Sequence, residues 1–207
     1  MGEKQEKQGN NRRIWPWSLL GILSFVLVIA LLWSFCKKDP HIPTLTIQTP
    51  QKLSVSQTEE FSLDVMISHL GEDLYPAMSM CIAFDPSRLE FLGIGEGNVF
   101  ILSTENGTGQ QLPRWSYNVQ VSNETGQINL MYLDMTGGKY AFSRSLFGED
   151  NNVLLRLKFR LRGSVRPGEV LDLLMEDAVF ASSDETRSLA MTTGTLKVRN
   201  GKIVVGD

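Results

Sequence analysis

This chain predicts an all-β domain of the sandwich or barrel type, preceded by one transmembrane helix. One uncharged apolar run lies near the N-terminus, between residues 14 and 36. After residue 43 come many short apolar runs that alternate with period two and are punctuated by Gly, Asn and Pro. Such runs are strands with one face inside, and no helical 3.6 period is sustained among them.

Residues 1–13, MGEKQEKQGNNRR, are too polar to bury a core and are expected to form a disordered cytoplasmic tail. From Ile14 to Phe35 no residue is charged, and as a helix the segment would reach roughly 33 Å, close to the hydrocarbon thickness. We assign the span to 14–36. Trp15, Trp17 and Trp33 read as interfacial belts, with Arg12 and Arg13 before the run and Lys37 and Lys38 after it. A cleaved signal peptide would have a shorter apolar region and a small-x-small site, whereas this run finishes Trp33-Ser34-Phe35-Cys36. The same bulky residues argue against lipidation at Cys36. Lys4, Lys7, Arg12 and Arg13 outnumber Lys37 and Lys38, which predicts a cytoplasmic N-terminus and a C-terminal domain in the extracellular or periplasmic space.

Residues 37–43 form a proline-bearing connector, and 44–207 form the domain. The first strand is expected at Leu45–Gln48. In the second, Phe61, Leu63, Val65 and Ile67 alternate with polar neighbours. The third, Met78–Phe84, must turn at Asp85-Pro86, since proline fixes φ and removes a ladder donor. A short apolar run follows to Ile94, with Gly93, Gly95 and Gly97 read as turn glycines. Trp115, Tyr117, Val119 and Val121 alternate as another strand, then Gln127–Leu133. In the next run Val153, Leu155, Leu157, Phe159 and Leu161 face inward against Arg156, Lys158, Arg160 and Arg162. Val170–Met175, Leu196–Arg199 and Lys202–Val205 complete the set, with Asn200-Gly201 as a two-residue hairpin turn.

With 207 residues and a net charge of −3, the chain has room for one ordinary domain plus the membrane segment. That charge carries no electrostatic warrant for nucleic acid. Cys36 and Cys81 are the only cysteines, read as unpaired, which excludes a disulfide scaffold. His41 and His69 lack partners at metal-ligand spacing, so no metal site is expected. The three glycines precede nothing that reads as a helix, which argues against a phosphate loop. Asp172, Glu176 and Asp177, and likewise Glu149 and Asp150, read as solvated loop carboxylates rather than an acid–base pair. Asp150-Asn151-Asn152 lacks the ligand order of a calcium loop. Hence no enzyme and no cofactor are expected. The cation stripe Arg156, Lys158, Arg160 and Arg162 reads as a solvated sheet face that discourages sticking, with docking to an acidic partner or anionic lipid as the other reading. Trp115, Tyr117, Tyr132 and Tyr140 could form a sugar platform, although Trp115 and Tyr117 share parity with Val119 and Val121 and read as core. Two sequons, at Asn106 and Asn123, fall in expected loops.

The stretch Phe84-Asp85-Pro86-Ser87-Arg88-Leu89-Glu90-Phe91-Leu92 resembles the signature of a cohesin module, where a strand ends in Tyr-Asp-Pro and continues through a Leu and a Val. The resemblance continues in order through TLTIQT, FSLDVMI, GQINLMYLDMTGG, VLLRLKFRLRGSVRPGE, AVFASSDETRSL and GTLKVRNGKIVV, covering roughly Thr44 to Val205. It implies a nine-stranded jelly-roll β-sandwich and a non-catalytic binding module. Cohesins grip a dockerin, a calcium-folded helical module on another protein, and so assemble enzymes of polysaccharide breakdown on a scaffold or fasten them to a cell. Any calcium would then belong to the partner.

The resemblance implies that recognition uses the sheet face containing the strand that ends in Asp-Pro. Parity independently turns Ala77, Ser79, Cys81 and Ala83 outward if Met78, Met80, Ile82 and Phe84 face the core. Ala77 and Ser79 stand where many cohesins carry an Asn and an Asp, so the usual hydrogen-bonding pair is missing. On the neighbouring strand Met131 falls where a family contact is usually Leu, Asp134 where it is Glu, and Gly137 where it is Gly. Tyr117 and Asn118 lie near a fourth contact strand. With Leu133 added, this surface is small and apolar, as partner surfaces are, unless the flap Met135–Phe147 folds over it. The expected role is a membrane-anchored module that tethers a dockerin-type partner. An assembly subunit of a secretion or pilus apparatus, and a carbohydrate-binding module, are the alternatives.

Overall fold

The computed structural model describes residues 42–206 except 51, 55–58, 69, 98–100, 104–109, 113–114, 145–152 and 164. The span expected at 14–36 lies outside the described residues, as do the tail, most of the connector, His41, His69, Asn106 and the carboxylates Glu149 and Asp150. No helix among the described residues is long and apolar enough to cross a membrane.

The strands, in chain order, are β1 (Thr44–Gln48), β2 (Leu53–Ser54), β3 (Phe61–Ser68), β4 (Ala77–Ala83), β5 (Leu89–Glu96), β6 (Ile101–Ser103), β7 (Gln110–Leu112) and β8 (Trp115–Ser116). A short helix α1 (Val119–Thr125) follows, then β9 (Gln127–Leu133), β10 (Val153–Leu161), β11 (Val170–Ala181), β12 (Leu189–Ala190), β13 (Lys197–Arg199) and β14 (Gly201–Gly206). One sheet runs β13-β1-β3-β10-β5. The other runs β2-β14-β11-β4-β9-β8, with β12 added to β11, while β6 and β7 pair with each other. Among the described residues, nine strands of three or more residues carry the two sheets, as expected of the jelly roll.

Period-two alternation explains why the sheets close on each other. Phe61, Leu63, Val65 and Ile67 of β3 are buried, as are Met78, Met80 and Ile82 of β4 and Ile128, Leu130 and Tyr132 of β9. Phe159 of β10 stands at the centre, its ring centroid 5.5 Å from both Phe84 and Phe91 and 6.2 Å from Phe61. Each such side chain contributes about 1.5–3 kcal/mol by leaving water. Leu154 is buried as well, against the alternation, where the register of β10 on β3 shifts between Val153 and Leu155.

The Asp-Pro step does what its chemistry requires. Asp85 accepts from the Ser87 amide at 2.9 Å and its hydroxyl at 2.6 Å, and its carbonyl accepts from the Arg88 and Leu89 amides. β4 therefore ends in a tight turn that starts β5 in the opposite sheet.

Four expectations are corrected. The alternation from Trp115 to Val121 is not a strand: β8 stops at Ser116 and Val119–Thr125 is helical. Asn118 caps that helix by accepting from the Val121 amide at 3.0 Å, and Gly126 ends it at φ +72°. A Cβ on Gly126 would lie 2.8 Å from the Phe84 carbonyl oxygen, so both backbone and space demand glycine. Asn200-Gly201 does not close a hairpin, because β13 pairs with β1 and β14 with β11, in different sheets. Asn200 accepts from the Met175 amide at 3.0 Å, and Gly201 presses on Ile47, whose Cγ2 would sit 2.8 Å from a Cβ. The pair is a sheet-to-sheet crossing. Gly93 and Gly95 lie within β5 rather than in a turn, and the β5–β10 register skips Leu92 next to Gly93. Finally, β11 extends to Ala181, so Asp172, Glu176 and Asp177 lie on a strand and not in a loop.

Asn123 ties the helix to β5. Its amide nitrogen donates to the Phe91 carbonyl at 2.8 Å and the Val119 carbonyl at 3.0 Å, and its oxygen accepts from the Phe91 amide at 2.8 Å. The nitrogen a glycan would need is thus committed to the backbone. Asn123→Ala leaves both Phe91 polar groups without this partner and should cost about 2–3 kcal/mol. Urea unfolding should show it as a lower midpoint at unchanged slope.

Candidate partner-binding face

β4 pairs antiparallel with β9 over seven residues, from Ala77 opposite Leu133 to Ala83 opposite Gln127. On its other side β4 pairs with β11, Ala77 opposite Ala181, Ser79 opposite Val179, Cys81 opposite Glu176 and Ala83 opposite Leu174. The predicted Ala77, Ser79, Cys81 and Ala83 therefore form the outward row of β4, flanked by Met131 and Leu133 of β9. Met131 is 58 % exposed and Leu133 54 %. Leu174 of β11, paired above Ala83, is exposed too.

The outer face of the other sheet is built differently. Arg156 pairs with Asp64 at 3.0 Å, Lys158 with Glu60 at 3.0 Å and Arg160 with Glu90 at 3.4 Å. The cation stripe is thus neutralised by acids on and beside neighbouring strands, which supports its reading as a solvated face. Arg162 lies past the strand and donates to the Leu89 carbonyl at 3.4 Å.

The flap does not cover the apolar row in its described part. Tyr75 and Phe142 exchange backbone hydrogen bonds of 3.0 and 2.9 Å, and Tyr132 donates its hydroxyl to the Tyr140 carbonyl at 2.5 Å. Met135 is 83 % exposed. Asp134, predicted as a contact, is instead turned into this loop and only 9 % exposed. It accepts from the Thr136 amide at 2.8 Å, the Thr136 hydroxyl at 2.5 Å and the Gly138 amide at 2.8 Å. Burial alone would raise its pKa, but these bonds and the Tyr140 amide hold it below the usual carboxylate value. Gly137 sits exposed in the same loop at φ +75°. Asp134 and Gly137 shape the edge of the face.

Two hollows open on the face. One, of about 340 Å³, lies between β9 and the start of α1, lined by Tyr117, Asn118, Val121, Asn129 and Met131 among others. The second, of about 280 Å³, lies over β4, lined by Ser79, Cys81, Asn129, Met131 and Asp177 among others. Asn129 and Met131 form the ridge between them. Burial first, then the charges of Glu176 and Asp177, push the Cys81 thiol up, so it stays protonated at neutral pH. Among the aromatic residues considered for a sugar platform, Trp115 and Tyr132 are buried in the core and Tyr117 is 39 % exposed. They do not form one flat surface, and the core reading of Tyr117 is corrected.

The parity of β9 could have supplied Asn129, since it shares the outward row with Met131. Glu176 and Asp177 were hidden by a bulge: the β11 register on β4 shifts between Glu176 and Val179, and Asp177 adopts φ +49°. Both carboxylates thereby point outward next to Cys81.

Solved structures share this arrangement. It matches the cohesin of a type I cohesin–dockerin complex from Clostridium thermocellum, Coh-OlpA-Doc918, with TM-score 0.59 and 17 % identity over 80 % of this chain and 99 % of that one. The domain has the cohesin fold. A second complex from the same organism, Coh-OlpC-Doc435, gives TM-score 0.58 at 11 % identity, covering 83 % and 97 %. The third ScaC cohesin of Acetivibrio cellulolyticus, solved with the ScaB dockerin, gives 0.57 at 15 %, covering 80 % and 99 %. No protein-family model and no curated protein matches the chain. In this cohesin fold, the predicted row Ala77 to Ala83 is the outward side of the strand that ends in Asp-Pro.

Asp134 makes stability of the flap pH-dependent. Its folded pKa is depressed, so its contribution is complete above the ordinary carboxylate range, near pH 4, and is lost as pH falls through the depressed value. Asp134→Ala should therefore be less stable than wild type at pH 7, with the gap closing in strong acid. Thermal melts of both proteins across pH would measure it, and a gap independent of pH would remove this account.

Proposed function

We propose that the domain is a non-catalytic cohesin-type receptor, held at the cytoplasmic membrane by the 14–36 span and displayed outside it, that tethers a dockerin-type partner. The observation that carries this reading is the contrast between the two outer faces. One is closed by its own ion pairs, while the other presents the uncharged row Ala77, Ser79, Cys81, Ala83, Met131 and Leu133, with the carboxylates of Glu176 and Asp177 beside it. Small side chains on β4 let a partner backbone approach closely, and Met131 offers an adaptable apolar contact. The fold supports the partner class, since the similar cohesins named above were solved in complexes with dockerins.

Because Ala77 and Ser79 offer no Asn–Asp pair, binding here draws on apolar burial, with Ser79 and Asn129 as the hydrogen-bonding groups in reach of the hollows. The short connector in the sequence favours a second reading, an assembly subunit of a secretion or pilus apparatus whose partner is another envelope protein.

Immobilised full chain in detergent should capture, from a lysate of the parent cell, a protein carrying paired calcium-loop repeats. Capture should vanish with chelator, because the dockerin then loses its fold. Met131→Arg should weaken capture at least about tenfold without unfolding the exposed site. Chelator-insensitive capture of envelope components would replace this reading with the second. For the anchor, the full chain should resist carbonate extraction and its domain should be cut by protease added outside the cell. Deleting residues 14–36 should release it, and retention on membranes after that deletion would sink the anchor.

A further inference from the structure

We infer that the hollow between β8, β9 and the start of α1 is a saccharide subsite that takes one neutral pyranose unit against Tyr117. It stands apart from the protein-binding reading, since it needs no dockerin.

Uncommitted polar groups argue for a hydroxylated ligand. Ser116 of β8, Asn118 at the start of α1, and Gln127 and Asn129 of β9 line the hollow together. The side chains of Ser116, Gln127 and Asn129 make no hydrogen bond among the described residues. Asn118 spends its side-chain oxygen on the Val121 amide at 3.0 Å, which leaves its amide nitrogen as a donor held in place by the cap. An apolar side chain seated here would strip water from these groups and give nothing back, whereas the hydroxyls of a sugar replace that water as donors and acceptors. Gln127 and Asn129 stand two residues apart on the outward side of β9, about 7 Å, so both amides reach hydroxyls of one ring.

Tyr117 supplies the apolar wall. Its ring packs edge-on against Phe91 at a centroid distance of 6.1 Å, and its hydroxyl lies 3.5 Å from where a Cβ of Gly93 would stand. The ring is therefore fixed in advance while part of it stays open to the hollow, ready for the C–H groups of a sugar.

Charge and size narrow the class. No charged residue lines the hollow, so nothing there compensates a phosphate, a uronate or an ammonium group. Its volume of about 340 Å³ is at the low end for small-ligand sites and fits one ring. The burial of Trp115 and Tyr132, which removes a flat platform for a polysaccharide strand, leaves this enclosed subsite untouched.

The test uses full chain in zwitterionic nanodiscs with ¹⁵N-labelled asparagine and glutamine, the side-chain signals assigned by their loss in Asn129→Ala and Gln127→Ala. The probes are the methyl pyranosides of glucose, galactose and mannose, with methyl glucuronide and methyl galacturonide as charged counterparts. At least one neutral pyranoside should move both amides saturably, with half-saturation at about 1–10 mM. Gln127→Ala, which breaks no hydrogen bond of the fold, should weaken the Asn129 response at least about threefold. Tyr117→Leu should abolish it. No saturable movement up to about 50 mM, an unchanged response in Gln127→Ala, or tighter binding of either uronide would each overturn the inference. If a dockerin is captured and no pyranoside moves the amides, the proposed function stands and this inference falls. If a pyranoside binds as expected and no dockerin is captured, the subsite stands and the partner class falls.

Discussion

The register between β4 and β9 is the constraint on which the apolar outer face depends. Seven consecutive pairs set Met78 against Tyr132, Met80 against Leu130 and Ile82 against Ile128 on the core side. The same pairing sets Ser79 against Met131 and Ala77 against Leu133 on the other. A slip by one residue would push three buried pairs into water and draw the outward row inside. The flap inherits this register, since the Asp134 amide donates to the Pro76 carbonyl at 2.7 Å just past the last pair. From there Asp134 folds the chain back through Thr136 and Gly138, away from the row that the register has exposed.

The two outer faces answer different physical demands. On β10 the outward side chains are long and charged and find acidic partners on neighbouring strands, which discourages edge and face sticking. On β4 they are Ala, Ser, Cys and Ala, too short to shield one another, and Met131 and Leu133 rise beside them. Net charge says nothing of this division, because it sums the faces. The contrast appears only when each strand is given its neighbours.

Much of the fold and part of the face were legible in the sequence. Phe61 to Ile67, Met78 to Phe84 and Gln127 to Leu133 alternate cleanly, and each buries the parity expected. That parity turned the β4 row outward, and the cohesin resemblance added Met131 beside it. Resemblance located Asp134 along the chain but could not show its carboxylate turning to cap its own loop. Val119 and Val121 fit a strand as well as a helix over so few residues, and the caps Asn118 and Gly126 were the neglected signal. The hairpin reading of Asn200-Gly201 failed because a turn propensity does not say whether the next strand returns to the same sheet.

The sequence by itself determined most of the long strands, which side of each is apolar, where Asp-Pro forces a turn, and that an uncharged run of membrane length precedes the domain. These are properties of local periodicity and chain stiffness, carried by residues a few positions apart. The tertiary structure alone decided that cations and acids cancel on one face, that two hollows flank Met131, and that the Asp177 bulge sets two carboxylates beside Cys81. Those depend on which distant strands pair and in what register. That choice is made by core packing across the whole domain, and no stretch of neighbouring residues contains it.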